Sequence, residues 1–522
     1  MSEYSKFVQR SGKEKERLFY ISLVILSLFI FLIPGERGYV LYDDSPAYMN
    51  LYSAMEGVMP GYPLFLHGNK LLFGEAGYLY AVVIQQAVLA TVCVIVFIAL
   101  IRKKFRLRYW ESYICYAFAL IPFTTNMPGA MTTHEIVTEG VAYALFYLFM
   151  AALLQAVWSK SLKWLAALCA MSLLMALIRS QMQILFGVCG AVCVYIAVLR
   201  PGAAEAAKGR KVLRFLAGMV CCAIIGLAGV WTVGRVSADF QNMKTEMRRE
   251  EQKKEQQMKS DAASELPETE QKQQVTPAKP VITTSQYVTL IFSRGMYEAD
   301  YEDYLLFEDE QVRELYLFLY PHVDKAGYRY EYAQTGLWMW QDIVAGIGRL
   351  GGHCYYRQNR FYTENYPELI YSNNYSSVRN TNQIKIGLTL IMAHFGRFLY
   401  HTLMLLPQAF ICTVFFQIKQ IYLLCHLVTL FLYVTAAALM IWAYKDKKAD
   451  NAYGEFMCSV LSTNLILVLV ISLVFFGQQR YLVYNFGIFY IAYFLLFMQL
   501  WRLYLHGFVE RIADRFRHRG RR

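Results

Sequence analysis

Two adjacent carboxylates, Asp43 and Asp44, follow the first long apolar run of the chain, which ends at Pro34. If that run crosses a membrane, both side chains lie close to the lipid head groups. A carboxylate at that level can take a proton from an incoming hydroxyl group, or the pair can hold a divalent cation such as Mg²⁺ or Mn²⁺. The stretch 43–46 also suits a turn or a helix cap, and residue type alone favours this simpler interpretation.

Other polar side chains lie at the ends of later apolar runs. Glu139 lies within such a run, where a carboxylate is costly and tends to be functional or paired. Arg179 and Arg480 each border an apolar run, where a guanidinium can bind a phosphate or extend to the lipid head groups. Both interpretations stay open for the arginines. His134 suits a helix cap better than a catalytic group.

A polar stripe and an acidic run lie in the second half of the chain. His394, Arg397 and His401 are spaced to share one face of a helix, and this face could contact a lipid phosphate or a metal. A polar stripe on an interfacial helix explains it more simply. The acidic run 298–310 lacks the glycine and the ligand spacing of an EF-hand, so we predict a solvated helix face there.

The elements that position these residues follow from composition. The chain has 522 residues, of which 57% are hydrophobic and 17% charged, against about 25% charged in soluble domains. Apolar runs of roughly 20 residues predict an all-α polytopic membrane protein of about ten spans. Cysteines fall almost entirely in or beside these runs, as small packing residues would. The predicted spans are 18–34, 78–101, 112–125, 136–158, 164–178, 182–199, 213–234, 421–444, 456–476 and 481–501.

The distribution of charge predicts the orientation. Basic residues dominate both chain ends and the short loops at 102–108, 159–163, 200–214 and 445–448. The loop 35–76 has two basic and five acidic residues. Because basic loops stay in the cytoplasm, we predict cytoplasmic termini and place 35–76 and 235–385 outside a plasma membrane. The net charge of +12 is therefore an orientation signal and not a nucleic-acid surface. The lack of eukaryotic retention signals favours a bacterial source.

Three regions are predicted along the chain. Residues 1–234 form a seven-helix transmembrane module with the first outer loop. Residues 235–385 form an extracytoplasmic segment, in which 241–282 is too polar to bury a core and is predicted to be disordered, although its first part could be a solvated helix. The remainder of that segment forms a small helical cap. Residues 386–522 hold an interfacial helix within 384–417, three spans and a basic tail.

An ordered set of short motifs resembles a known family. After the acidic pair come Pro60-Gly61-Tyr62-Pro63-Leu64 and Phe73-Gly74. Thr138-Glu139 opens the fourth predicted span, Leu177-Ile178-Arg179 closes the fifth, and Arg480-Tyr481 opens the last. This set resembles the GT-C superfamily of membrane glycosyltransferases, especially its protein O-mannosyltransferase and aminoarabinose-transferase branch. The resemblance covers about 1–234 and the end of the chain. It lacks the proline that often follows the final Arg-Tyr, and 235–385 matches no part of the family.

The resemblance implies a GT-C-like fold and the transfer of a sugar from a polyprenyl-phosphate donor to a hydroxyl group of a glycan, lipid or protein acceptor outside the membrane. It assigns the base to Asp43, while Asp44 would orient that base or share a metal with it. A departing lipid phosphate needs positive charge, for which Arg179 and Arg480 are the best candidates, with His134 behind them. Glu139, Tyr62, His67 and Tyr481 are the expected substrate contacts.

Two other classes of function stay open. A transporter or flippase of a lipid-linked saccharide would usually carry internal repeats and charges deep in several spans, and the sequence shows neither. An inactive transferase-like scaffold would bind polyprenyl phosphate but tolerate replacement of both aspartates. The sequence has no Walker A loop, dinucleotide fingerprint or zinc spacing, which disfavours a pump or a nucleotide-sugar enzyme.

Overall fold

The computed structural model describes residues 3–32, 38–42, 44–50, 58–124, 131–199, 208–264, 286–333, 339–370, 375–416, 418, 421–474 and 477–505. These residues form helices and no strand, with one isolated β-bridge between Val40 and Glu135. The α-helices are α1 (Glu3–Leu32), α2 (Ser45–Met49), α3 (Gly61–Phe105), α4 (Tyr109–Leu120), α5 (Glu139–Ser159), α6 (Leu162–Ile178), α7 (Leu185–Leu199), α8 (Lys208–Ser264), α9 (Gln286–Tyr297), α10 (Glu310–Lys325), α11 (Met339–Asn365), α12 (Pro367–Ile370), α13 (Tyr375–Ala393), α14 (Phe395–Val414), α15 (Tyr422–Lys445), α16 (Asn451–Val474), α17 (Gln479–Leu482) and α18 (Phe486–Leu500).

Seven helices in the described part of the chain are long and apolar enough to cross a membrane, which agrees with an all-α membrane protein. The other three predicted runs coincide with α1, α4 and α6, and α6 is apolar but shorter. The count of about ten spans stays a prediction. The seven helices are Gly61–Phe105, Glu139–Ser159, Ser180–Val198, Val212–Lys244, Tyr422–Lys445, Asn451–Val474 and Arg480–Tyr504.

Helix α5 lies at the centre of the bundle. Of its most apolar 18-residue stretch, 89% is buried inside the protein. The helix packs against α3, α6, α7 and α16. A helix that is apolar on every side needs such surroundings. Glu139 occupies its first turn, so the centre of the bundle fixes the position of that carboxylate.

The glycine of the Phe73-Gly74 motif marks a bend in α3. Gly74 has a φ of 71°, which interrupts the helix and which residues with a side chain rarely adopt. On either side of the bend, Asn69 and Gln85 exchange two side-chain hydrogen bonds of 3.2 and 2.7 Å. The part of α3 before Gly74 is therefore held at an angle to the part that follows it.

The segment predicted as 235–385 agrees with expectation at its start and departs from it at its end. Helix α8 continues from its apolar part to Ser264, so the first part of 241–282 is the helix that the sequence left open, and 265–282 lies outside the described residues. Helix α13 crosses the predicted boundary at 385 and packs against α9, where a Cβ on Gly295 would lie 2.5 Å from the carbonyl oxygen of Gly387. The cap therefore continues to Ala393, and the predicted interfacial helix within 384–417 is split at His394 into α13 and α14.

One close approach of two backbones gives a stability prediction. A Cβ added to Gly487 in α18 would lie 2.2 Å from the Phe118 carbonyl oxygen in α4, so neither helix could stay in place. Gly487→Ala is expected to destabilise the protein by about 1–3 kcal/mol, as overpacking does. The measurement is the melting temperature in detergent. Gly226→Ala, which meets no atom within 4 Å, is the matched control and should leave that temperature unchanged or raised. Equal behaviour of the two variants would contradict this packing.

Candidate functional site

An ion pair between Asp44 and Arg480 forms the partly exposed edge of the candidate site. Arg480 Nη1 lies 3.0 Å from Asp44 Oδ2, and the side chains are 35% and 37% exposed, respectively. Asp44 occupies the N-cap position of α2, but its side chain makes no capping hydrogen bond. The chain does turn here, since the backbone N–H of Ser45 donates to the Tyr42 carbonyl at 2.9 Å, but the Asp44 carboxylate itself contacts a guanidinium from the other end of the chain.

A second, buried ion pair lies behind the first. Arg179 Nη1 is 2.5 Å from Glu139 Oε1, and these side chains are only 10% and 3% exposed. The Thr138 hydroxyl donates to Glu139 Oε2 at 3.0 Å and accepts from Arg179 Nη1 at 3.2 Å. Arg480 Nε lies 4.0 Å from the same Glu139 Oε1. The negative charge of the Glu139 carboxylate therefore interacts with the positive charges of both Arg179 and Arg480.

The aromatic ring of Tyr481 connects the two arginines. The guanidinium carbons of Arg179 and Arg480 each lie 5.0 Å from the centre of the ring, within the range of a cation–π contact. Arg480 Nη2 also donates to the Tyr481 hydroxyl at 2.9 Å. Within the Arg480-Tyr481 motif, the side chain of Tyr481 thus fixes the position of the Arg480 guanidinium.

Local structure brings the acidic loop to this place. Ser45 Oγ accepts from the backbone N–H of Tyr42 and donates to the carbonyl of Ile136, both at 2.8 Å. The backbone N–H of Val40 donates to the His134 carbonyl at 2.9 Å, and its carbonyl accepts from Ile136 at 2.9 Å. These bonds fix the loop of Asp44 to the residues that precede α5.

Gln86 anchors those preceding residues, although sequence reasoning did not identify it. This buried amide in α3 donates from Nε2 to the carbonyls of Thr133 at 2.9 Å and Glu135 at 3.2 Å. Because a buried polar side chain needs partners, the amide and the loop carbonyls satisfy one another. The available signal was the Gln85-Gln86 pair inside an otherwise apolar run.

Tyr48 is a second residue that the sequence analysis missed. Its phenol lies in the electrostatic neighbourhood of Arg179, Glu139 and Asp44, and its ring packs edge-on against Tyr62 at 5.5 Å. Burial raises the pKa of Tyr48 to about 12, although Arg179 acts in the opposite direction. The hydroxyl therefore keeps its proton at neutral pH and can donate a hydrogen bond. Its position four residues after Asp44, one helical turn, could have indicated it.

The other predicted site residues that the structure describes, His134, Tyr62 and His67, take no part in the two ion pairs. The imidazole Nε2 of His134 lies 2.5 Å from the carbonyl oxygen of Phe31 in a buried setting. Tyr62 is buried beneath Tyr48 and donates to Gln86 Oε1 at 3.2 Å. His67 is partly exposed on the first part of α3. Among the described residues, no hydrogen bond or ion pair joins either histidine to the arginines. Asp43 lies outside the described residues.

The polar stripe and the acidic run are partners: the three basic residues meet one acidic segment, as their predicted shared face allows. His394, Asp300 and Asp303 each place one ligand atom within 4.8 Å of the others, so a metal contact at this face stays open. His401 Nδ1 lies 2.8 Å from Glu298 Oε2, and Arg397 Nη2 lies 2.8 Å from Asp300 Oδ2. His394 Nε2 is 2.8 Å from Asp303 Oδ2. Glu298 is fully buried and Asp303 nearly so. The prediction of a solvated acidic face is wrong for Glu298 and Asp303, because these buried carboxylates meet His401 of α14 and His394, which directly precedes α14.

The geometry of the site defines what it can do chemically. Arg179 and Glu139 neutralise each other in a buried position, whereas Asp44 and Arg480 remain partly accessible. Arg480 Nε is buried and has no hydrogen-bond partner among the described residues. The arrangement suits recognition of a phosphate beside a carboxylate.

Comparison with known proteins adds no relative. No protein-family model matches the chain, and no curated protein matches it.

The buried pair gives a second stability prediction. Glu139→Gln leaves the Arg179 guanidinium without its counter-charge, and loss of one partner of a buried pair costs about 3–5 kcal/mol. We expect a lower melting temperature in detergent, and partial recovery when Arg179→Met is added. Glu364→Gln is the control, because Glu364 pairs with Arg360 at an exposed position. An unchanged melting temperature for Glu139→Gln would show that the pair is not buried as described.

Proposed function

We propose that the protein is a membrane glycosyltransferase that moves a sugar from a polyprenyl-phosphate donor to an acceptor hydroxyl. The observation that carries the proposal is the accessible Asp44–Arg480 pair held in front of the buried Arg179–Glu139 pair. The pair stands at one end of the bundle, where α5 begins and α6 ends. A lipid head group reaches such a place while its chain stays beside the helices.

The proposed reaction is a direct displacement at the anomeric carbon. The acceptor oxygen forms the new bond to that carbon, and its proton passes to a carboxylate, for which Asp43 is the proposed group. The bond between the carbon and the phosphate oxygen breaks, and its electron pair stays on the polyprenyl phosphate. Arg480 stabilises the charge that develops on the leaving phosphate. Asp44 holds the guanidinium until the donor arrives.

The described residues do not fit the alternative of a divalent cation at Asp44. Its Oδ2 already contacts the Arg480 guanidinium at 3.0 Å, and the nearby carboxylate of Glu139 contacts Arg179 at 2.5 Å. A metal would have to displace a cationic side chain at each carboxylate. The proposed reaction therefore uses arginine to balance the charge of the phosphate.

The decisive cellular test is deletion of the gene followed by complementation. Mass spectrometry of cell-envelope lipids and glycans should show accumulated polyprenyl-phosphate sugar in the deletion strain. Wild-type protein should remove it, whereas Asp43→Asn should not, since loss of a general base lowers a rate by roughly 10²–10⁴-fold. Glu75→Gln is the control, because this exposed carboxylate of α3 pairs with Lys70 away from the arginines.

Several outcomes of this test would contradict the proposal. Normal envelope composition in the deletion strain would rule out transfer of an envelope sugar. Full complementation by Asp43→Asn would remove the base assignment, and full complementation by a variant with both aspartates changed to asparagine would favour a scaffold. Accumulation of the lipid-linked saccharide only on the cytoplasmic side would favour a flippase.

A further inference from the structure

Helix α14 connects the cap to the candidate site. Its first half meets the cap segment 298–303 through the ion pairs of Arg397 and His401, and His394, which directly precedes the helix, pairs with the same segment. Arg397 also donates from Nη2 to the Glu298 carbonyl at 2.9 Å and lies over the Tyr330 ring, 3.9 Å from its centre. The cap therefore holds this half of the helix through several contacts on one face.

Buried ion-pair partners hold the cap segment 298–303 against α14. Glu298 is fully buried and His401 is 3% exposed, so neither can lose its partner without leaving a polar group in an apolar setting. Burial alone would raise the pKa of Asp300, but hydrogen bonds from Arg397 and Tyr330 outweigh it and the pKa is lowered. The carboxylate is thus held in its charged form by α14 and its neighbours.

The second half of α14 packs against the segment that carries Arg480. A Cβ on Gly477 would lie 2.6 Å from Ala409 Cα, so only glycine allows this approach. Gln408 Nε2 donates to the Gly477 carbonyl. Ala409 and Cys412 form an apolar cluster with Leu482, and Tyr481 packs against it.

These contacts form one continuous path from the cap to the arginines. Tyr481 touches the α14 cluster on one side and lies 5.0 Å from both guanidinium carbons on the other. Close-packed interfaces transmit a displacement because they have no free volume in which to absorb it. A shift of α14 must therefore move Tyr481, and with it the hydrogen bond that holds Arg480.

We infer that α14 is a positioning element through which the ion pairs of the cap set the location of Arg480 and Tyr481. Arg397, Glu298 and Gly477 are its positioning residues, since each acts on the arginine through α14 and not on a ligand. The consequence for phosphate binding rests on the proposed function, whereas the mechanical coupling does not.

The test is hydrogen–deuterium exchange of the full-length protein in detergent, followed at peptides covering 477–485. Arg397→Gln should raise exchange there at least tenfold, and Arg397→Lys should raise it less, because it keeps the charge but loses the two-nitrogen contact. Arg360→Gln, which breaks an exposed pair within α11, is the matched control and should change nothing at 477–485. Gly477→Ala, which acts at the other end of the path, should raise exchange at the same peptides.

Three outcomes would overturn the inference. The first is unchanged exchange at 477–485 in Arg397→Gln. The second is a rise in exchange of α5 as large as that at 477–485, which would mean general unfolding. The third is a rise at 477–485 in Arg360→Gln as large as that in Arg397→Gln. If Arg397→Gln does not fold, Arg397→Lys and Gly477→Ala decide the result by the same criterion. A binding assay with farnesyl phosphate then separates the two proposals. Failure of the wild type to bind would contradict the proposed function, while the exchange data would still decide the coupling.

Discussion

Charged groups at the end of an apolar helix bundle must neutralise each other, and the site depends on this constraint. Glu139 begins the helix that is the most buried of the seven candidate spans in the described part of the chain, and an unpaired carboxylate there would be prohibitively costly. Arg179 supplies the counter-charge at 2.5 Å from a position that directly follows α6. Because Arg179 neutralises most of the charge of Glu139, we propose that the neighbouring Arg480 can exchange its contact with Asp44 for one with an incoming anion. In this proposal the Arg179–Glu139 pair stays in place while Arg480 exchanges Asp44 for the anion.

The same requirement for polar partners organises the surrounding structure. Gln86 binds the carbonyls of the segment before α5, and Ser45 ties the acidic loop to that segment. At the cap, the buried Glu298 takes its partners from α14. Gln86, Ser45 and Glu298 therefore each join two parts of the chain that lie far apart in sequence.

The sequence predicted the charged residues of the site but not which of them pair with each other. Glu139, Arg179 and Arg480 could be identified because a charge in or beside an apolar run is unusual. Pairing of Asp44 with Arg480 needs the bundle to close, and no local spacing contains that information. Gln86 was missed because no local spacing shows that it meets the segment before α5, and Tyr48 was missed because it is one of 40 tyrosines in the chain. The acidic run at 298–310 was taken for a solvated face, since its partners on α14 lie almost a hundred residues later.

Direct measurement of polyprenyl-phosphate binding tests the central claim that Arg480 is the anion-binding group and Asp44 its resting partner. Native mass spectrometry of the purified protein with farnesyl phosphate would compare the wild type with Arg480→Gln and Asp44→Asn. We expect Arg480→Gln to weaken binding at least tenfold, because the exchangeable cation is lost. Asp44→Asn should bind as tightly as the wild type or more so, because it frees the guanidinium. Equal binding by Arg480→Gln and the wild type would contradict the account.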